Sequence, residues 1–292
     1  MKHTFTWILA IMATVASGQD YTFKVLANKG NNEIKSNGQW QPLKTGASLQ
    51  AGDELKLSAN GYVGLVHKKG NPLEMKTPGS YPVAQLESQL NTGTGVISKY
   101  TDFILSNNSS DAKQHRLSAT GAVDRGENYA IKLTLPEHAG IYYNVATVGW
   151  AGDAIKGPYM VTVLNMFDEE LALYETEQNV MQLDLNDAKF SKQNAIILEV
   201  ASKNDPSQKS KRHMIKKLPA AEQVGIRTSL AEIDGAVKDE TALNSLILAG
   251  FFEQNKLYID AIGAYEDAIR LAPDVLAYQE SYSAFLERNG LR

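Results

Sequence analysis

The chain has 292 residues, of which 43% are hydrophobic and 21% charged, with 33 acidic side chains against 29 basic ones and no cysteine. That mild acidity argues against nucleic-acid binding, which needs clustered cations to neutralise phosphates. The lack of cysteine excludes a disulfide framework, a thiolate nucleophile and an acylated lipoprotein N-terminus.

Residues 1–18 predict a Sec-type signal peptide: Lys2 is the positive start, Trp7 to Val15 the apolar core, and Ala16-Ser17-Gly18 the small-residue cleavage site. Roughly nine apolar residues are too few to cross a ~30 Å bilayer, which needs ~20 in a helix. The mature chain then starts near Gln19 with 28 basic residues against 33 acidic, a net charge near −5. No later stretch reaches the ~18 consecutive apolar residues of a membrane span. Secretion without cysteine points to a bacterial envelope, periplasm or cell surface, and the remaining length to two or three domains.

Residues 19–90 read as a small all-β unit. Turn formers recur every eight to ten residues, among them Asn37-Gly38, Thr45-Gly46, Gly52-Asp53, Asn60-Gly61 and Pro78-Gly79, and short runs such as Glu54 to Leu57 lie between them. Within it Trp40, then Gly46, Leu49, Gly52 and Asp53 form a Trp … Gly-x-x-Leu-x-x-Gly-Asp step. Over residues 23–83 this resembles the periplasmic domain of FecR-type regulators. The resemblance implies a β-fold with a sensing or binding character. Gly46 and Gly52 would supply turn conformations and Asp53 a hydrogen bond to its own turn. The membrane helix and cytoplasmic segment with which that family controls a sigma factor are missing here.

Residues 91–125 predict a connecting helix, with Ile97, Tyr100, Phe103 and Ile104 at helical spacing, followed by a polar loop from Asn107 to Ala119. Residues 126–205 return to strand patterning. The runs Tyr129 to Leu135, Ile141 to Trp150, Tyr159 to Asn165, Glu170 to Thr176, Val180 to Leu185 and Ala195 to Ala201 suggest an immunoglobulin-like β-sandwich. From 206 to 292 the pattern is helical. One apolar stripe holds Ala221, Val224, Leu230 and Ile233; the next helix, capped by Asp239 or Thr241, holds Leu243, Leu246, Ile247, Gly250 and Phe251.

Leu248, Ala249, Phe252, Ala261, Tyr265, Ala268 and Pro273 stand at tetratricopeptide spacing, and this unit, about 242–292, resembles one such repeat with a closing helix. Ser245 departs from the pattern, which commonly has tryptophan there. The resemblance implies two antiparallel helices nested on Ala249, Ala261 and Ala268. Leu248, Phe252 and Tyr265 would fill the gaps to neighbouring pairs, and the helices would dock a protein. One unit is short of the three that stand alone, so the helices are expected to lean on the sandwich or complete a partner's array. Asn255, Tyr258 and Asp260 fall near the loop of the hairpin.

No residue pattern carries chemistry. His3, His67, His115, His138 and His213 are scattered without zinc spacing and read as surface or turn residues. There is no Gly-x-Ser-x-Gly elbow or phosphate loop. Asp168-Glu169-Glu170, with Glu175 and Glu177, reads as a solvated hairpin turn rather than a calcium site or catalytic pair. The run Lys209, Lys211, Arg212, His213, Lys216 and Lys217 reads as a solvated linker, with contact to an anionic envelope polymer or lipid headgroups as the rival reading. Trp40 and Trp150 are expected in the core, with sugar stacking as the rival. The sequence thus predicts a non-enzymatic envelope protein without cofactor or metal that docks a protein partner through its C-terminal helices. A peptidoglycan- or carbohydrate-binding module is the first alternative, and a hydrolase with an unrecognised site the second.

Overall fold

A computed structural model describes residues 21–90, 96–107, 129–152, 155–234 and 239–291. The expected signal peptide, the polar loop beyond Asn107, His3 and His115 lie outside the described residues. The chain is mixed β and α, with several mostly antiparallel sheets and its last helices at the C-terminal end.

The first eight strands are β1 (Phe23–Lys29), β2 (Glu33–Ser36), β3 (Gln39–Pro42), β4 (Ser48–Leu49), β5 (Glu54–Leu57), β6 (Tyr62–His67), β7 (Pro72–Met75) and β8 (Gly79–Pro82). They form two four-stranded antiparallel sheets, β4-β1-β6-β7 and β3-β2-β5-β8, which close over Phe23, Val25, Leu49, Leu55 and Leu65. In β5 the alternation is plain, Leu55 and Leu57 inward and Lys56 outward. β6 instead is buried along its whole length, because both of its faces are covered. Val63 and Leu65 join the small β-core, while Tyr62 and Val66 join the core beneath the helices.

The sequence motif of this unit is built into turns. Gly46 has φ +84°, a left-handed value that favours glycine. The Asp53 carboxylate accepts from the Gln50 N–H at 2.8 Å, closing its own turn. Leu49 is fully buried, whereas Gly52 is exposed and has no left-handed φ. Trp40 corrects its expected core position. It is 40% exposed on β3, an edge strand exposed at every residue, with the ammonium groups of Lys35 and Lys56 at 5.6 and 5.4 Å from its ring.

The second β-unit contains β9 (His138–Ile141), β10 (Val145–Gly149), β11 (Tyr159–Leu164), β12 (Glu170–Thr176), β13 (Val180–Asp184), β14 (Ala195–Ser202) and β15 (His213–Lys217). A five-stranded sheet, β12-β11-β14-β15-β9, shares a core with the two-stranded sheet β10-β13; only β15 and β9 pair in parallel. Trp150 is 2% exposed and meets Tyr159 edge-on at 5.3 Å.

Three expectations change in this unit. The run Ile141 to Trp150 is two strands broken at Tyr142-Tyr143-Asn144, and Tyr129 to Leu135 contributes only isolated bridges through Ile131 and Leu133. The boundary at 205 falls short: β15 lies between β14 and β9, so the sheet runs to Lys217. The basic run is therefore no linker but a strand and its approach, drawn in by Ile215 at the core.

Six helices are described: α1 (Val83–Ser88), α2 (Val96–Asn107), α3 (Ala220–Asp234), α4 (Ala242–Gln254), α5 (Tyr258–Leu271) and α6 (Leu276–Arg288). Thr241 caps α4 by accepting from the Asn244 N–H. α4 is apolar all round because it is central. It packs on α5 and on α2, and touches β7. At Gly250 a Cβ would lie 2.9 Å from Ile104 Cδ1, so the missing side chain is what lets α2 approach. α3 is the opposite case: Leu230 and Ile233 are buried, but Ala221 and Val224, expected on the same stripe, face solvent.

The helices join both β-units. α5 packs on β9 and β10, and α6 packs on β1. Tyr62 of β6 donates to Glu74 and shares a hydrogen bond with Tyr278 of α6, and Lys29 pairs with Asp274 at 3.2 Å. Leaning on the second β-unit was expected; anchoring to the first as well was not.

Candidate functional site

The hairpin α4–α5 has two sides that meet different things. On one side Tyr265 stacks on Tyr282 at 5.6 Å and packs against Phe285 at 5.1 Å, so α6 covers it. Beneath these rings the carboxylate of Glu253 accepts two 2.6 Å bonds from Arg288 and one of 3.2 Å from the Tyr265 hydroxyl. Burial beside that carboxylate pushes the Tyr265 hydroxyl well above the usual phenol range.

On the other side no helix among the described residues covers the hairpin. There Ser245, Leu248 and Phe252 of α4 and Gly263 and Ala264 of α5 face the outer surface of β10 and β13 across a cleft of about 870 Å³. The opposite wall is made by Tyr143, Val145 and Val180, which are exposed by 50%, 47% and 40%. Strand alternation explains that wall. Ala146, Val148 and Leu183 point into the core, so Val145 and Val180 point out.

Asp260, in the first turn of α5, lines the cleft. Its two carboxylate oxygens accept from the backbone N–H groups of Tyr142 (2.9 Å) and Tyr143 (2.8 Å), tying the β9–β10 turn to the helix. Burial pushes its pKa from 3.8 up to about 6, opposed by those two N–H bonds. Tyr143 is held edge-on to Phe252 at 5.6 Å. Glu266, Asp267 and Arg270 also line the cleft; Asp267 and Arg270 pair at 2.8 Å, leaving the wall with a net negative charge.

Each motif residue has a definite place. Ala249, Ala261 and Ala268 are fully buried, Phe252 and Tyr265 are 1% exposed, Leu248 is half-buried in the cleft, and Pro273 is exposed just beyond α5. Trp40, Gly46, Leu49, Gly52 and Asp53 all belong to the first β-unit, and none of them lines the cleft. Tyr143, Val145 and Val180 were not singled out by sequence. The Tyr142-Tyr143-Asn144 triplet interrupting an apolar run was their available signal.

The remaining candidates resolve as structure. His67 and His213 are buried, a correction to their expected surface placement. His67 Nδ1 lies 3.2 Å from the Lys69 N–H and its Nε2 3.1 Å from Glu87, and His213 Nδ1 lies 3.0 Å from the Pro136 carbonyl. Most of the basic run is paired: Lys209 and Arg212 with Glu199, Lys211 with Glu137, Arg212 also with Asp168, and Lys217 with the carbonyls of Leu185 and Phe190. Asn165 organises the acidic turn by accepting from the N–H groups of Phe167 and Glu169. Among the described residues no group of three or more His, Asp or Glu could hold a metal, and no helix is long and apolar enough to cross a membrane. No protein-family model and no curated protein matches the chain.

Proposed function

We propose that this is a non-enzymatic envelope protein that docks a helix of a protein partner in the cleft between α4–α5 and β10–β13. The reading rests on one observation: among the described residues no helix covers the cleft lined on one wall by Ser245, Leu248 and the buried Phe252. In a tetratricopeptide array that wall receives the preceding helical pair, and serine at 245, where tryptophan is common, leaves it open. The cleft volume lies within the ~300–1,000 Å³ of typical ligand sites. An amphipathic helix with apolar residues at i, i+3, i+4 and i+7 and basic flanks suits its apolar walls and net negative charge. On this reading the first β-unit is FecR-like, the second immunoglobulin-like, and the signal peptide delivers the protein to the periplasm or cell surface.

The test is selection of helical peptides from a synthetic library on the mature protein, with Ser245→Trp and Gly263→Trp as filled-cleft counterparts. A Cβ at Gly263 meets nothing within 4 Å, so the bulk enters open space. Enrichment of amphipathic basic helices by the open protein alone supports the proposal. No enrichment, or equal enrichment by the filled variants, defeats it.

Exposure of Trp40 favours a second reading, a glycan stacked on its indole. The outward neighbours Lys35, Glu54 and Lys56 would hydrogen-bond sugar hydroxyls. Soluble peptidoglycan fragments titrated against wild type and Trp40→Ala separate it from the first reading.

A further inference from the structure

A second concavity, unconnected with the peptide cleft, lies beneath α3. The helix is fastened to the body near its C-terminal end by Leu230 and Ile233, while its first half stands off the outward face of β9 and β15. The gap measures about 700 Å³ and is walled by Met214, Leu218, Ile226 and Leu257. Small residues keep it open: Gly225 lines it, and a Cβ there would meet nothing within 4 Å.

Its charge is opposite to that of the protein. Lys216 and Lys256 line the gap against a single carboxylate, Glu222. Among the described residues neither Lys216 nor Lys256 forms an ion pair, whereas Lys209, Lys211 and Arg212 do. The two lysines come from neighbouring segments of the wall. Lys216 is paired with Gly140, and Leu257, next to Lys256, would contact a Cβ at Gly140 at 4.0 Å. Met214 lies two residues farther along β15. Lys256 also stands at φ +58° just past α4, where glycine is the low-energy choice.

We propose that this gap binds a single-chain amphiphile with an anionic head, the head at Lys216 and Lys256 and the hydrocarbon chain along Leu257, Leu218, Met214 and Ile226. Apolar walls that carry two cations against one carboxylate match that chemistry. Fatty carboxylates and alkyl phosphates share the chemistry, and the experiment distinguishes them.

Calorimetric titration of the mature protein with octanoate, decanoate and laurate below their micellar concentrations, and with dodecyl phosphate and dodecyltrimethylammonium, provides the test. Affinity should rise roughly fourfold per added methylene while the chain is being buried. Gly225→Trp, which fills the gap from an exposed helix, should abolish binding. Lys216→Glu with Lys256→Glu should cost at least tenfold for anions and remove the preference over the cationic amphiphile. Saturable binding of laurate, dodecyl phosphate or both with these responses supports the proposal and identifies the head group. No saturable binding of either, binding indifferent to Gly225→Trp in a protein that melts like wild type, or equal binding of the cationic amphiphile would overturn it.

Discussion

Asp260 ties the second β-unit to the helical hairpin, and its burial gives a pH signature. Its folded pKa of about 6 stands above the ordinary 3.8. The folded state therefore holds the proton more tightly than the unfolded chain. Stability from this group is fully present below pH 3.8 and is lost as pH rises through about 6. At ~1.4 kcal/mol per pH unit of separation, the loss is about 3 kcal/mol. Urea unfolding of wild type and Asp260→Asn, at steps between pH 3.5 and 7.5 (roughly the window set by those values), isolates this contribution, because every other titration cancels in the difference. The asparagine variant has no charge to bury but keeps one acceptor for the Tyr142 and Tyr143 N–H groups. Its stability relative to wild type should climb by about 3 kcal/mol across that window. Parallel curves for the two proteins would refute the buried, charge-averse latch.

Three further perturbations probe the packing. Arg288→Met leaves the Glu253 carboxylate buried without its cation and should cost ~3–5 kcal/mol, read as a fall in melting temperature. Trp150→Ala should cost ~3–5 kcal/mol in denaturant unfolding, whereas Trp40→Ala should stay within ~0.5 kcal/mol, the reverse of what a core Trp40 would give. Gly250→Leu forces α2 away from α4 and should destabilise by ~1–3 kcal/mol, with part recovered when Ile104→Ala is added, as thermal melts of the single and double variants will show.

Local spacing made much of the architecture legible. Turn glycines and asparagines delimit the short strands of the first β-unit, and the alanines at 249, 261 and 268 fall at buried positions of α4 and α5. What spacing hides is which face of an element a distant element covers. Trp40 has strand neighbours like those of a core residue, but β3 lies at a sheet edge, so its indole is left outside. The basic run looks like a linker by charge, yet His213 and Ile215 point inward while Lys209, Lys211 and Arg212 find carboxylates on other segments. α4 shows no single apolar face because three different neighbours bury it. The cleft was half visible: Leu248 and the anomalous Ser245 are one wall, but Tyr143, Val145 and Val180 meet them only through the tertiary fold.

The proposal that the uncovered side of the hairpin receives a helix is tested most directly by the dissociation constant of one selected peptide for three proteins. These are wild type, Ser245→Trp, and Leu276→Trp, the last altering an exposed residue of α6 away from the cleft. At least tenfold weaker binding to Ser245→Trp, with Leu276→Trp equal to wild type, is the expected result. Equal affinity for all three, or a loss shared by both variants, would contradict it.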